Sequence, residues 1–139
     1  MITTKAASTT VKLAEIMRPV PVVLDHHTCR QTLRTMFEHP ESKCLVLCNT
    51  AEKPVGLLMS EKFYLVATGR LGTDTFYREP AMKLAHKHPL IVDIACEPHT
   101  VLAMALDRNP IHRNDSIIVT DCGKLAGVLY VSDLLAFRS

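Results

Sequence analysis

Residues 127–137 read GVLYVSDLLAF, and residues 56–66 read GLLMSEKFYLV. Each stretch opens on glycine, runs through a short apolar segment, and passes at a polar seam into helix-forming residues. The later copy places Asp133 at the seam, where the earlier one has Lys62. A segment of this kind that closes each of two half-chains points to an internal duplication. A duplication has to be recognised before any site is argued, because it imposes a pseudo-twofold relationship on the whole fold.

Working outward, the halves keep the same order. The first contains PVVLD (21–25), a helix-period segment from Thr28 to about Glu38, CLVLC (44–48), PVGLLMS (54–60) and EKFYLVA. The second contains PLIVD (89–93), a helical segment from about Glu97 to Asn109, SIIVT (116–120), KLAGVLYVS (124–132) and DLLAF. Asp25 and Asp93 are 68 residues apart and Gly56 and Gly127 are 71 apart, so the drift falls in loops and hairpins. Cys29, Leu33, Met36 and Phe37, and likewise Val101, Leu102, Ala105 and Leu106, recur at helical spacing and predict one apolar face per helix. Thr28 predicts an N-cap and Pro98 a first helical turn. Asp121-Cys122-Gly123 predicts a tight hairpin whose glycine takes positive φ. Each half therefore reads strand, helix, strand, strand, helix, after a short amphipathic lead (VKLAEIM, 11–17; AMKLAHK, 81–87). Neither half covers its own sheet, so the two are expected to pack sheet to sheet.

Composition bounds what such a chain does. With 139 residues, 47% hydrophobic and 22% charged, it buries a real core and is not a disordered tail. Sixteen basic against 14 acidic side chains give a net charge of +2, which argues against a large nucleic-acid footprint. The apolar runs are too short to span a bilayer, and no export signal stands out. Five cysteines without paired spacing predict reduced thiols and a cytoplasmic protein.

This arrangement, from about Ile16 to Phe137, resembles a tandem pair of CBS domains, the Bateman module. The best marker is Gly-hydrophobic-x-x-x-x-Asp running from strand into helix, here Gly127 to Asp133. The connector FYLVATGRLGTDTFYREP (63–80) also resembles the linker of CBS pairs fused to GGDEF and EAL signalling domains. The resemblance implies an α/β fold of two β-α-β-β-α repeats with pseudo-twofold symmetry. It divides the chain into a lead (1–15), repeat 1 (16–68), a linker (69–80) and repeat 2 (81–139). It further implies a regulatory sensor rather than an enzyme, a homodimer, and an unidentified effector protein as partner. The expected ligand is an adenosyl nucleotide (AMP, ADP, ATP or S-adenosylmethionine) held in the cleft between the repeats.

On this reading, Asp133 takes the ribose hydroxyls, since an ionised carboxylate offers two acceptors to two adjacent O–H donors. Ser132 adds a hydroxyl, and the free N–H groups of the helix start favour a phosphate nearby. Ser132-Asp133 is equally an ordinary helix start, where acids are favoured by the macrodipole. Tyr130 stands where relatives carry a small hydroxyl residue, and its ring either stacks on a base or fills the pocket. Leu90, Ile91 and Val92 are the expected apolar slot for adenine, although buried strand residues have the same composition. Lys62 cannot accept from a diol, so at most one such clamp exists; the lysine either meets phosphate or is a solvated surface residue. Asp115, just before the second strand of its repeat, opposes a polyanion.

Other constellations carry less. Cys44 and Cys48 lie four residues apart on a strand, about 13 Å, too far to share one zinc. His26, His27, His86 and His88 raise metal binding but lack a third ligand at useful spacing. No nucleophile elbow, phosphate-cradling glycine loop or paired-carboxylate motif is present. The alternative to a sensor is a ligand-free assembly scaffold with a degenerate cleft, which the lost first clamp and Tyr130 favour.

Overall fold

A computed structural model describes residues 11–69 and 74–138; residues 1–10 of the lead and 70–73 of the connector lie outside the described residues. The first half contains α1 (Leu13–Ile16), β1 (Val22–Leu24), α2 (Cys29–Glu38), β2 (Cys44–Cys48), β3 (Pro54–Met59), α3 (Ser60–Thr68) and α4 (Asp74–Arg78). The second contains a 3₁₀ turn (Ala81–Lys83), β4 (Ile91–Asp93), α5 (Pro98–Leu106), a second 3₁₀ turn (Pro110–His112), β5 (Ile117–Asp121), β6 (Lys124–Leu129) and α6 (Val131–Arg138). Among the described residues, no helix is long and apolar enough to cross a membrane.

Local chemistry sets the element ends. Thr28 closes a capping box on α2: its N–H donates to Gln31 Oε1 at 2.8 Å and its Oγ1 accepts from the Gln31 N–H at 3.3 Å. Glu97, one residue before Pro98, caps α5 by accepting from the Thr100 N–H at 3.0 Å. At the hairpin, Cys122 joins Gly123 in left-handed backbone, with φ of 54° and 81°. Positive φ at both turn positions is what a type I′ two-residue connection needs.

Two three-stranded sheets form, ordered β1-β2-β3 and β4-β5-β6, each with a parallel first pair and an antiparallel second pair. The sheets face each other, and strand alternation explains why CLVLC is buried throughout. Leu45 and Leu47 join the helix-side core of the first half, while Cys44, Val46 and Cys48 meet Ile118, Val128 and Tyr130 between the sheets. Burial on both faces gives a continuous apolar run instead of an alternating one.

The leads are exchanged. Leu13 lies in the helix-side core of the second half, whereas Ala81 and Ala85 lie in that of the first. Arg18 and Val128 exchange backbone hydrogen bonds at 2.8 and 3.0 Å, and His86 and Leu57 do so at 2.9 and 3.0 Å. The two seam glycines of the duplication serve this contact. A Cβ on Gly127 would stand 2.9 Å from the Arg18 carbonyl oxygen, and one on Gly56 3.1 Å from the Ala85 Cβ.

Three sequence expectations need correction. Phe37 and Leu106, assigned to apolar faces, are 62% and 50% exposed, because each lies just off the buried stripe of its helix. Asp25 and Asp93 are not equivalent: β1 pairs Leu24 with Cys48, and β4 pairs Asp93 with Thr120, so Asp93 corresponds to Leu24. The extra residue sits between the lead and β4. Finally, α5 ends at Leu106, short of the expected Asn109, and a 3₁₀ turn follows at Pro110–His112. Proline cannot continue a helix that needs its N–H.

Candidate functional site

The exchanged leads bring charged residues to both ends of the groove between the repeats. At one end, Asp133 sits in the first turn of α6 with its side chain 25% exposed. It is already engaged. Arg18 Nε donates to Oδ2 at 2.6 Å and Nη2 to Oδ1 at 3.1 Å, a two-pronged pair. The Arg18 hydrogen bond holds the Asp133 carboxyl below its ordinary range, against desolvation, with the Arg18 and Lys43 charges helping.

Tyr130 fills space here. Its ring is buried, its hydroxyl accepts from the Lys43 N–H at 3.0 Å, and the Arg18 guanidinium and Lys43 ammonium each lie 4.9 Å from the ring centroid. The small cavity beside it, about 130 Å³, is lined by Lys43, Asn114, Ser116, Tyr130, Val131 and Ser132. Leu90, Ile91 and Val92 do not converge on one slot. Val92 is in the second-half core with Leu90 packed against it, and Ile91 is exposed on the other side of the edge strand.

At the other end, Lys62 reaches across the groove. Its Nζ lies 3.1 Å from Asp115 Oδ1 and donates weakly to the Ile111 carbonyl at 3.4 Å. Asp115 is almost wholly buried, and its second oxygen lies 2.8 Å from His112 Nδ1. The His112 ring stacks on His86 at 4.0 Å between centroids, with 10° between planes. Burial, and then the neighbouring His112, push the His86 pKa below its ordinary value. A cavity of about 290 Å³ opens here between Leu57, Phe63, Val66 and Leu84 and the polar edge of Lys62, His86, His112 and Asp115. A second of about 560 Å³, lined by Ser42, Lys43, Ser60 and Asn114, shares Met59, Lys62 and Asp115 with it.

The two ends are charge-exchanged copies. The strand registers make Asp115 the counterpart of Lys43: Leu47 pairs with Gly56 and Val119 with Gly127, and Lys43 and Asp115 lie four residues before Leu47 and Val119. Lys62 and Asp133 are likewise counterparts in α3 and α6. One end thus has an acid on the helix and a lysine before the strand, and the other has the reverse. The carboxylate missing from the first half's helix stands across the groove, at Asp115.

Sequence reasoning identified Asp133, Lys62 and Asp115 but missed Arg18 and His112 as their partners. Arg18 lies 115 residues from Asp133, and only the lead exchange joins them. The legible signal was the charge inversion between Lys43 and Asp115 in aligned halves. Cys44 and Cys48 are buried between the sheets, and burial pushes both thiols up to about 11. Among the described residues, no three His, Cys, Asp or Glu side chains are grouped to hold a metal ion.

No protein-family model matches the sequence, and no curated protein matches it. Solved structures do. CBSX2 in complex with AMP superposes with a TM-score of 0.69 at 17% identity, covering 91% of this chain and 95% of its own. Hypoxic Response Protein I with two coordinated zinc ions gives 0.69 at 20% identity, covering 91% and 98%. The cytosolic domain of the Mg²⁺ channel MgtE in complex with ATP gives 0.71 at 16% identity, covering 90% of this chain and 48% of that one. CBSX2 and Hypoxic Response Protein I are CBS-domain pair proteins. The chain has the fold of a CBS-domain pair, two α/β repeats packed sheet to sheet.

Proposed function

We propose that this chain is a regulatory module that binds an adenosyl nucleotide in the cleft between its repeats and passes occupancy to an effector protein. The observation that carries the reading is Asp133: an ionised, partly exposed carboxylate at a helix start on the junction of the repeats. Two fold neighbours, CBSX2 and the MgtE cytosolic domain, were solved with AMP and ATP. In this reading, the ribose diol replaces Arg18 on Asp133. The freed guanidinium, with Lys43 beside it, then meets the phosphate, and Ser132 supplies a further hydroxyl. Arg18 directly follows the amphipathic lead segment 11–17, and this stretch is anchored on the second repeat through Leu13 and Val128. Its release is the step that reports occupancy, because a ligand shifts an equilibrium only through contacts that differ between the two states.

The repeats are assigned to 16–68 and 81–139, with 69–80 as linker and 1–15 as lead. The module acts in the cytoplasm as a homodimer, for which exposed Phe37, Tyr64, Leu65 and Val66 on α2 and α3 supply an apolar face. The connector's likeness to linkers of GGDEF and EAL proteins makes a cyclic-dinucleotide signalling protein the class of effector to test first.

A second reading, a ligand-free assembly scaffold, is favoured by the two-pronged Arg18–Asp133 pair and by Tyr130 filling its end of the groove. Thermal unfolding with AMP, ADP, ATP, S-adenosylmethionine, NAD and cyclic dinucleotides separates the two. A nucleotide at a hundred times its Kd adds about 2.7 kcal/mol of stability. That gain, lost in Asp133→Ala, supports the sensor; no gain from any nucleotide leaves the scaffold.

A further inference from the structure

The Lys62 end of the groove has a chemistry of its own. Its cavity is lined by apolar Leu57, Phe63, Val66 and Leu84 together with one lysine, one buried carboxylate and two stacked imidazoles. Its carboxylate has no oxygen to spare: Asp115 Oδ1 faces Lys62 and Oδ2 faces His112. Lys62, in contrast, has a side chain 59% exposed and is free to turn towards an incoming anion. A ligand anion that takes Lys62 removes one of Asp115's two side-chain partners, and a buried carboxylate does not tolerate that uncompensated. The compensation available is a proton on His112, which turns the 2.8 Å contact into a charged pair.

We infer that the Lys62 end of the groove is a proton-coupled site for a small ligand bearing a carboxylate or tetrahedral oxyanion on an apolar body. Lys62 binds the anion, the wall of Leu57, Phe63, Val66 and Leu84 takes the body, and His112 takes up a proton as Lys62 leaves Asp115. The other charges near the pair fit this assignment. His86 is held by backbone bonds to Leu57, and burial, His112, His88 and Lys62 all disfavour its charged form, with only Asp115 opposing. The proton is assigned to His112 because its Nδ1 lies 2.8 Å from Asp115 Oδ2, while the ring stacked on it has no such contact with the carboxylate. Arg108 donates to the backbone carbonyls of Asp115 and Arg113 at 2.9 and 3.2 Å and braces the turn without occupying the carboxylate. The inference does not depend on nucleotide binding at Asp133.

The sign follows from linkage. A site that gains a proton on binding grows tighter as pH falls through the histidine range. Benzoate and benzenesulfonate serve as probes, since each keeps one charge across that range and they separate carboxylate from tetrahedral oxyanion. Calorimetric titration of the full chain at about pH 5.5 and about pH 7.5 is expected to show at least one probe binding about tenfold tighter at the lower pH. Repeating it in two buffers of different ionisation enthalpy is expected to show proton uptake. Lys62→Gln is expected to lose binding at both pH values, Lys62→Arg to keep it, and His112→Asn to flatten the pH dependence. Affinity independent of pH in the unaltered protein, unchanged binding by Lys62→Gln, or no binding of either probe overturns the inference.

Discussion

Arg18 grips Asp133 with two nitrogens, Nε at 2.6 Å and Nη2 at 3.1 Å, so the carboxylate expected to hold a sugar is held by the protein's own arginine, just after the lead segment. A guanidinium fork and a vicinal diol present similar pairs of donors, and they compete for the same two oxygens. Arg18→Ala is expected to tighten binding of adenosine, which has no phosphate for the guanidinium to meet, several-fold while raising the Asp133 pKa towards its ordinary value. Carboxyl NMR titration reads the second effect. The Asp133 pKa is depressed in the folded protein, so its contribution to stability is complete above the ordinary carboxyl range and lost as pH falls through the folded value. That acid-limb contribution is expected to shrink in Arg18→Ala.

Lys62 and Asp115 form an unequal pair, one exposed and the other buried. Lys62→Met leaves a buried carboxylate supported by His112 alone and is expected to cost about 1–3 kcal/mol. Asp115→Asn leaves an exposed lysine without its carboxylate and a neutral amide against His112, and is expected to cost less. Urea unfolding of both single variants and of the double variant checks the order, and the double is expected to be less than additive.

The lead exchange rests on two glycines with different tolerance. A methyl at Gly127 meets the Arg18 carbonyl oxygen at 2.9 Å, while one at Gly56 meets the Ala85 Cβ at 3.1 Å and the movable Met82 sulfur at 3.2 Å. Gly127→Ala is expected to cost about 1–3 kcal/mol, and Gly56→Ala less. Chemical unfolding measures both.

The cysteine thiols differ in reactivity. Cys122 is exposed at the hairpin, whereas burial holds the Cys44 and Cys48 thiols at about 11. At about pH 8 a thiolate reagent is expected to label Cys122 within minutes, and Cys44 and Cys48 only in denaturant. Peptide mapping after a timed pulse reads the order.

The fold was legible because each half repeats the same local signals. Thr28, Pro98 and the Cys122-Gly123 turn fix element ends by short-range chemistry, and CLVLC announces a strand buried on both sides. Phe37 and Leu106 were misplaced because helical spacing gives a stripe but not its edges. The site was half legible. Asp133, Lys62 and Asp115 carry local signatures, but Arg18 and His112 acquire their roles only when the leads cross and the sheets close. No short-range pattern in Met17-Arg18-Pro19 announces a partner in the last helix. Leu90, Ile91 and Val92 show the reverse difficulty: their composition fits a slot, and their alternation about an edge strand scatters them.

The central claim is that Asp133 exchanges Arg18 for a ribose diol. Calorimetric titration with AMP and with 2′,3′-dideoxy-AMP tests it most directly, because the two differ only in the hydroxyls that the carboxylate would receive. The expected result is AMP binding about a hundredfold tighter, a difference of about 2.7 kcal/mol that disappears in Asp133→Ala. Equal affinity for the two nucleotides, or no binding of AMP at all, would contradict the account.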